Sequence, residues 1–398
     1  MRVATANAQD RAVDSLQRRQ VGLQTAQERL VSGKRVARAS DDPTSAARAE
    51  RALAAQARTE ASQRGLEASR SAMVQTESAL GDAVNLMQRV RELTTQAGNA
   101  TYADAQRGAL AQEIRGLREQ LLSIANRGDG AGGYLFAGQG APTQPFIDAP
   151  GGVQFRGTRG EAQVASSEPL PLSVDGETAW LRAPTGNGVF AVEPAAANAP
   201  GAWVDSGQVT DPAAVTGDDY SVVFTSAAGG TTYAVLRNGN PTAITAEPFQ
   251  SGRAITFDGI SFTVKGAPAT GDTFEVTASQ RELSVFDTLD RLAEGLESSS
   301  QSDAQLTQIV QSGLRDVDST MGGLISLRSR LGGILNRVDT VESRLAETKV
   351  LAQTDRSIAE DLDMVEAISD FQNRQTGYDA ALKAYSTVQR MSLFEYIR

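Results

Sequence analysis

Both ends of the chain carry a seven-residue hydrophobic repeat, and the middle does not. Val310, Val317, Leu324, Leu331, Val338 and Leu345 recur at intervals of seven without interruption, and Leu16, Leu23 and Leu30 do the same near the N-terminus. Such spacing draws one stripe along a helix, and the stripe must be buried against another helix. From about residue 134 to 280 the helical period gives way to short β-branched runs punctuated by glycine and proline. Two helical ends enclosing a strand-rich middle predict an α+β chain. Its N- and C-terminal regions form a long antiparallel bundle or coiled coil, with an antiparallel β domain inserted between them.

The N-terminal pattern predicts a helix over 9–31, after a small and polar stretch at 1–8, with Val13 sharing the seam of Leu16, Leu23 and Leu30. Ser32-Gly33 breaks it. Ser40-Asp41-Asp42-Pro43 reads as the next helix start, an acidic cap followed by proline in the first turn. That Ala-rich helix extends to about residue 98, and a third runs over 103–126 with Leu110, Ile114, Leu117, Leu121 and Ile124 on one face. In the middle, 220–225, 231–236, 254–257, 261–264 and 273–277 alternate apolar and polar residues, with Asn238-Gly239 and Asp258-Gly259 as hairpin signals. Helix returns at Leu283 and becomes long over 302–353. Gly322-Gly323 and Gly332-Gly333 inside it, each costing up to ~1 kcal/mol against alanine, permit close approach of a packed helix or a bend, and close approach is the favoured expectation. A last helix, 357–390, places Leu362, Val365, Ile368, Phe371, Tyr378, Leu382, Tyr385 and Val388 on one face, ahead of a tail containing Leu393 and Phe394.

Composition narrows the chemistry. The 398 residues include no Cys and no His, which removes disulfides, thiolate nucleophiles, the commonest general base and the commonest zinc ligands. Net charge is −10, against generic nucleic-acid binding. Residues 1–40 are net +5 and residues 128–281 net −8, which fits solvated helix faces and an exposed acidic middle. No apolar run approaches the ~20 residues of a membrane span, and residues 1–20 lack the apolar segment of a signal peptide.

Few motifs suggest a site. Gly128-Asp-Gly130-Ala-Gly-Gly133 matches a dinucleotide pattern, but a helix precedes it and strands follow, so it is a crossing between domains. Asp361 and Asp363 resemble a metal pair, yet on a helix they diverge, and helix-start carboxylates are the better reading. Asp205, Asp218 and Asp219 have no His or Cys to work with, and Trp180 and Trp203 are expected to pack. No catalytic residue, cofactor or metal site is expected.

The terminal seams are sparse. Burying Val13, Leu16, Leu23 and Leu30 returns much less than ordering some forty residues costs. The termini are therefore expected to be disordered in the monomer and to become helical on assembly.

Together these segments resemble the bacterial flagellin superfamily, and within it the hook–filament junction proteins. The resemblance rests on Leu30-Val-Ser-Gly-Lys-Arg-Val36 with Ser40-Asp41-Asp42-Pro43, and on Leu121-Leu-Ser-Ile-Ala-Asn126 through Gly133-Tyr134-Leu135-Phe136-Ala137-Gly138. It extends to Gly271-Asp272-Thr273-Phe274, Gly333-Ile-Leu-Asn336-Arg337-Val-Asp339 and Ser392-Leu393-Phe394-Glu-Tyr396. Flagellins themselves, the alternative, typically continue Asp-Asp-Ala-Ala-Gly where this chain has Asp41-Asp42-Pro43-Thr44-Ser45, and end in a Leu-rich tail. The resemblance implies a secreted structural protein of the flagellum, exported unfolded by the type III route. The terminal helices, 1–40 with 357–398, would form an inner tube. Residues 41–133 with 283–356 would form the surrounding bundle, and 134–282 an outer β domain. Implied partners are further copies in a ring, the first hook-associated junction protein, flagellin and an export chaperone on the C-terminal helix. Nucleic acid and membrane are not among them.

Overall fold

The computed structural model describes the backbone of residues 2–141, 143–164, 168–299 and 301–396, and side chains from residue 10 to 387 within those ranges. Seven helices are present among the described residues: α1 (Arg2–Ser32), α2 (Pro43–Ala97), α3 (Asp104–Ala125), α4 (Gly176–Trp180), α5 (Val285–Glu297), α6 (Asp303–Glu360) and α7 (Met364–Tyr396). The chain divides into two compact units, one made of 1–64 and 341–398, the other of 65–340. Helices α2 and α6 contribute to both.

In the unit 65–340, α2 and α6 run antiparallel. Arg70 pairs with Asp339 and Arg91 with Asp318, and in both pairs the residue numbers add to 409. The predicted stripe of α6 supplies the contact: Val310, Val317, Leu324, Leu331 and Val338 are all buried. Its partner stripe on α2 is also seven-spaced, Leu66, Met73, Leu80, Met87 and Thr94, with Ser69, Thr76, Ala83, Val90 and Ala97 beside it. The hydroxyls do not go unsatisfied. Thr76 Oγ1 donates to Ala72 O at 2.7 Å, Thr94 Oγ1 to Val90 O at 2.8 Å and Ser69 Oγ to Pro171 O at 2.6 Å.

Helices α3 and α5 complete the bundle and pack on each other. Arg118 of α3, nearly buried, bonds Asp290 of α5 at 3.0 Å and Asp148 at 2.5 Å. Those bonds, with that of Asp148 first, hold its pKa above the ordinary arginine value even though burial opposes the charge.

The described residues between 126 and 184 contribute to the same core. Asp129 accepts backbone N–H groups of Ala131 and Gly133, which tightens the glycine-rich segment into a loop within the bundle, not the crossing between domains expected from the sequence, because the residues on both sides of it share one core. Leu135, Phe136, Phe146, Val153, Val174 and Trp180 join the bundle's buried cluster. The indole of Trp180 stacks on Phe286 of α5 with centroids 5.8 Å apart. Here too lies a small hairpin of β1 (Phe146–Ala149) and β2 (Gly152–Phe155).

Beyond it, β3 (Ala183–Pro184) pairs with β14 (Arg281–Leu283), so the chain leaves and rejoins the bundle on adjacent strands. Between them is a β module with its own core. Strands β4 (Phe190–Pro194), β7 (Tyr220–Ala227), β8 (Gly230–Arg237), β9 (Asn240–Pro241), β10 (Glu247–Pro248) and β13 (Thr273–Ala278) form a sheet ordered β10-β8-β7-β13-β4, with β9 on β8. Strands β5 (Ala202–Val204), β6 (Gln208–Val209), β11 (Ala254–Phe257) and β12 (Ile260–Gly266) form the second. Tyr220, Val222, Phe224, Phe274 and Val276 from one sheet share a core with Val204, Ile255, Phe262 and Val264 from the other. All five strands expected from alternation are present. The two hairpin signals hold as well, with Asn238 and Asp258 at positive φ before their glycines.

Four other expectations change. Helix α1 begins at residue 2, because 2–8 carry three Ala and neither Gly nor Pro to resist it. The break between the last two helices falls at 361–363 instead of near 355, where Asp363 Oδ1 accepts the N–H groups of Val365 (2.9 Å) and Glu366 (3.2 Å) and caps α7. The glycine pairs of α6 do not serve helix packing: a Cβ at Gly322, Gly332 or Gly333 would meet nothing within 4 Å, and at Gly323 only Ala183. The close approaches are at Gly295 against Ile309 and Gly313 against Leu292, where α5 crosses α6. Trp180, expected in the β domain, lies in the bundle core; Trp203, in β5, is half-buried under Lys265, whose Nζ is 4.9 Å from the ring centre.

Candidate assembly interface

In the unit formed by 1–64 and 341–398, α1 packs antiparallel against α7. The crossing is reciprocal: a Cβ on Gly22 would meet the guanidinium of Arg374, and one on Gly377 that of Arg19, each at 3.0 Å. Leu16, Leu23 and Leu30 on α1 are half-buried, and so are Leu362 ahead of α7 and Phe371, Tyr378 and Tyr385 along it. Val13, Val365, Ile368 and Leu382 are exposed. The single face expected for the last helix thus divides. Phe371, Tyr378 and Tyr385, seven apart, share the half-buried side, while Val365, Ile368 and Leu382 are left open. The side chains of Val388, Leu393 and Phe394 lie outside the described residues.

A short antiparallel joint ties the two links leading to this helix pair. Arg35 N–H donates to Glu360 O at 2.8 Å, Leu362 N–H to Gly33 O at 3.0 Å, and Lys34 Nζ meets Glu360 at 3.2 Å. Gly33 has φ +68°, the left-handed conformation in which glycine ends a helix without strain. Asp42 caps α2 from the next turn, accepting the N–H groups of Thr44 and Ser45 at 3.1 Å. The Ser45 hydroxyl, the capped backbone and the Arg35 guanidinium hold its carboxyl down to about 2.

Helices α2 and α6 also meet in this unit, with Lys349 and Glu60 again adding to 409. Their core is narrower. Ala52 and Thr59 on α2 and Ala352 and Ala359 on α6 are buried, continuing both seven-residue series with small side chains, and Leu345 is half-buried. The α2 seam escapes a search for Leu, Ile and Val, since it alternates Ala, Thr, Met and Leu; counting every non-charged residue at intervals of seven would have found it.

Carboxylates singled out in the sequence have structural work. Asp361 accepts from the Ser357 hydroxyl at 2.5 Å, Asp205 from Thr263 N–H at 3.0 Å, and Asp218 from Arg237 at 2.6 Å. Asp219 accepts, through its carbonyl, the N–H of Asn238 at 2.8 Å. Among the described residues no group of three acidic side chains is placed to hold a metal ion, and no helix is long and apolar enough to cross a membrane.

Comparison with known proteins gives a consistent picture. The bacterial flagellin N-terminal helical region matches residues 3–141 and its C-terminal helical region 314–397. The D2-like domain of flagellar hook-associated protein 1 matches residues 195–278, which lie within the β module. Flagellar hook-associated protein 3 of Escherichia coli K12 is 26% identical over 372 residues, covering 92% of this chain and 90% of that protein. The crystal structure of hook-associated protein 3 from Legionella pneumophila is 30% identical with a TM-score of 0.69, covering 74% of this chain and 94% of that one. Xanthomonas campestris FlgL is also 30% identical with a TM-score of 0.69, covering 77% and 99%. A filament protein, the 41 kDa core protein of Borreliella burgdorferi, is 35% identical but over 26% of the chain.

Proposed function

The chain belongs to the flagellar hook-associated protein 3 family of the flagellin superfamily, and from this we propose that it is the adaptor joining the flagellar hook to the filament. Copies assemble into one ring. The terminal helices, 1–40 with 357–398, form its inner tube; residues 41–133 with 283–356 form the surrounding bundle, which also takes in the segment from Leu135 to Trp180, and the β module between β3 and β14, 185–280, forms the outer domain. Its partners are further copies, the first junction protein on the hook side and flagellin on the other. It reaches the cell exterior through the flagellar type III apparatus, with an export chaperone on its C-terminal helix, and it carries no catalytic activity.

One observation supports this reading above the others. Eleven of the fifteen large hydrophobic side chains left exposed among the described residues lie in the unit of 1–64 and 341–398, under a third of the chain. Apolar surface concentrated in that way marks a contact that the single chain does not fill. On this reading the ends are poorly ordered in the monomer and become helical on assembly. Slow hydrogen exchange over residues 1–35 of a dilute monomer would refute that part.

Electron microscopy of flagella from a strain lacking the chain tests the function itself. Hooks without filaments, with flagellin shed into the medium, are expected. Normal filaments would overturn the adaptor role and favour a minor flagellin.

A further inference from the structure

On one face of the α2–α6 pair, two exposed arginines lie level with two exposed aliphatic side chains. Arg51 and Ile358, and Arg58 and Leu351, satisfy the same sum of 409 as the ion pairs that set the register. Leu351 is 65% and Ile358 74% exposed. Neither arginine has an ion-pair partner among the described residues; Arg51 Nε donates only to its own helix, to Ala47 O at 3.2 Å. An isolated chain therefore leaves two apolar side chains in water beside two unmatched cations, all in one unit.

The first turns of α7, in that same unit, have the complementary composition. Val365 is 82% and Ile368 45% exposed, and between them Glu366 is exposed and without an ion-pair partner. In this chain the two surfaces do not cover each other, since both remain open.

We propose that the first two turns of α7 in one copy dock on the Arg51–Arg58–Leu351–Ile358 face of the next copy. Val365 and Ile368 cover Leu351 and Ile358, and Glu366 comes within reach of the arginines. The two surfaces differ, so the contact is heterologous: each copy gives one and receives the other, and it repeats from copy to copy. Burial of four aliphatic side chains supplies the attraction, while the charges select the partner and the register. The proposal rests on the reading that copies assemble side by side, and it identifies the surfaces through which they do so.

The chain has no cysteine, so introduced ones report unambiguously. Two full-length forms, Ala54→Cys and Ser369→Cys, both exposed positions beside the proposed contact, would be produced together in a strain lacking the native chain, and the isolated flagella treated with a short bismaleimide. A cross-linked species of twice 42.0 kDa is expected, falling roughly tenfold when Leu351→Asp and Ile358→Asp are added. These positions are solvent-exposed, so the circular dichroism of the monomer should not change. In a second arm, Arg58→Glu and Glu366→Arg should each reduce the fraction of hooks bearing filaments, and the two together in one chain should restore it. Filaments that form normally with no cross-link, or a cross-link indifferent to the aspartates, or a double reversal no better than either single one, would each overturn this contact while leaving the adaptor role standing. Normal filaments in the strain without the chain would instead remove the adaptor role.

Discussion

Arg35 and Glu360 are 325 positions apart in sequence, yet the N–H of one donates to the carbonyl of the other at 2.8 Å. The link from α1 to α2 and the link from α6 to α7 therefore form one joint instead of two independent loops. The Arg35 side chain adds bonds to Ala359 O at 2.9 Å and to Asp42 at 3.2 Å. Replacing Arg35 by Ala should cost about 1 kcal/mol locally. Hydrogen exchange should then quicken together over 33–36 and 359–362, by roughly fivefold. A change confined to one of the two segments would show that they open separately.

The Asp42 cap makes the start of α2 sensitive to acid. Its folded carboxyl lies near 2, below the ordinary 3.8, so its contribution is present above pH 3.8 and disappears as pH falls toward 2. Asp42→Ala should weaken the first turns of α2 at neutral pH, seen as faster amide exchange at residues 44–46. Asp42→Asn keeps an acceptor and should lose less. Amide exchange at residues 44–46 of the wild type should approach that of the Asn variant across that acid range, and a constant difference would contradict the assignment.

Gly138 is the one residue of the Tyr134–Gly138 segment whose identity the backbone dictates. Its φ is +66°, and a Cβ there would run into the carbonyl of Thr158. Gly138→Ala should lower stability by about 3 kcal/mol or more, through both strain and displacement. Thermal unfolding followed by Trp180 fluorescence measures it directly, because Trp180 sits in the same buried cluster as Phe136.

Arg118 holds α3, α5 and the β1–β2 hairpin with one guanidinium, bonded to Asp290 and, in a fork, to Asp148 at 2.5 and 2.9 Å. Arg118→Ala should destabilise by about 1–2 kcal/mol, since it leaves the partly covered Asp290 without its partner while the half-exposed Asp148 is rehydrated. Arg118→Lys should recover only part, having no planar fork. Denaturant midpoints of the three proteins would test the order.

Asp287, near the start of α5, behaves in the opposite sense to Asp42. Burial, then repulsion from Asp290, raises its pKa, so its charged form opposes folding at neutral pH. Asp287→Asn should raise the melting temperature at pH 7, and the gain should shrink as pH falls and the wild-type carboxyl takes up its proton. A gain that persisted unchanged in acid would assign the effect to something other than charge.

The long helices, the β module and its hairpins were legible because each rests on a periodic or local rule. Val310 to Val338 announce their burial by spacing, and Asn238-Gly239 its turn by chemistry. The α2 stripe was harder, as Ala52, Thr59 and Met73 look unremarkable one at a time and are defined by the partner they face. The division of α7 was not legible at all: Phe371 and Ile368 are both large and apolar, and only the docking of α1 decides which side is covered. Nor could spacing reveal that Gly322 and Gly332 face open space, or that residues 135–180 belong to the bundle core, since both depend on contacts distant in sequence.

The paired strands β3 and β14 have a consequence for how this chain can change over time. Because the β module departs and returns at neighbouring points, the bundle registers only a closed loop there, and closing entropy grows slowly with loop length. Residues 185–280 could be shortened, enlarged or exchanged for an unrelated fold with little effect on the helices that hold them. Selection on the surface that the β module presents, and selection on the packing of the helices, can therefore act on the same polypeptide without interfering.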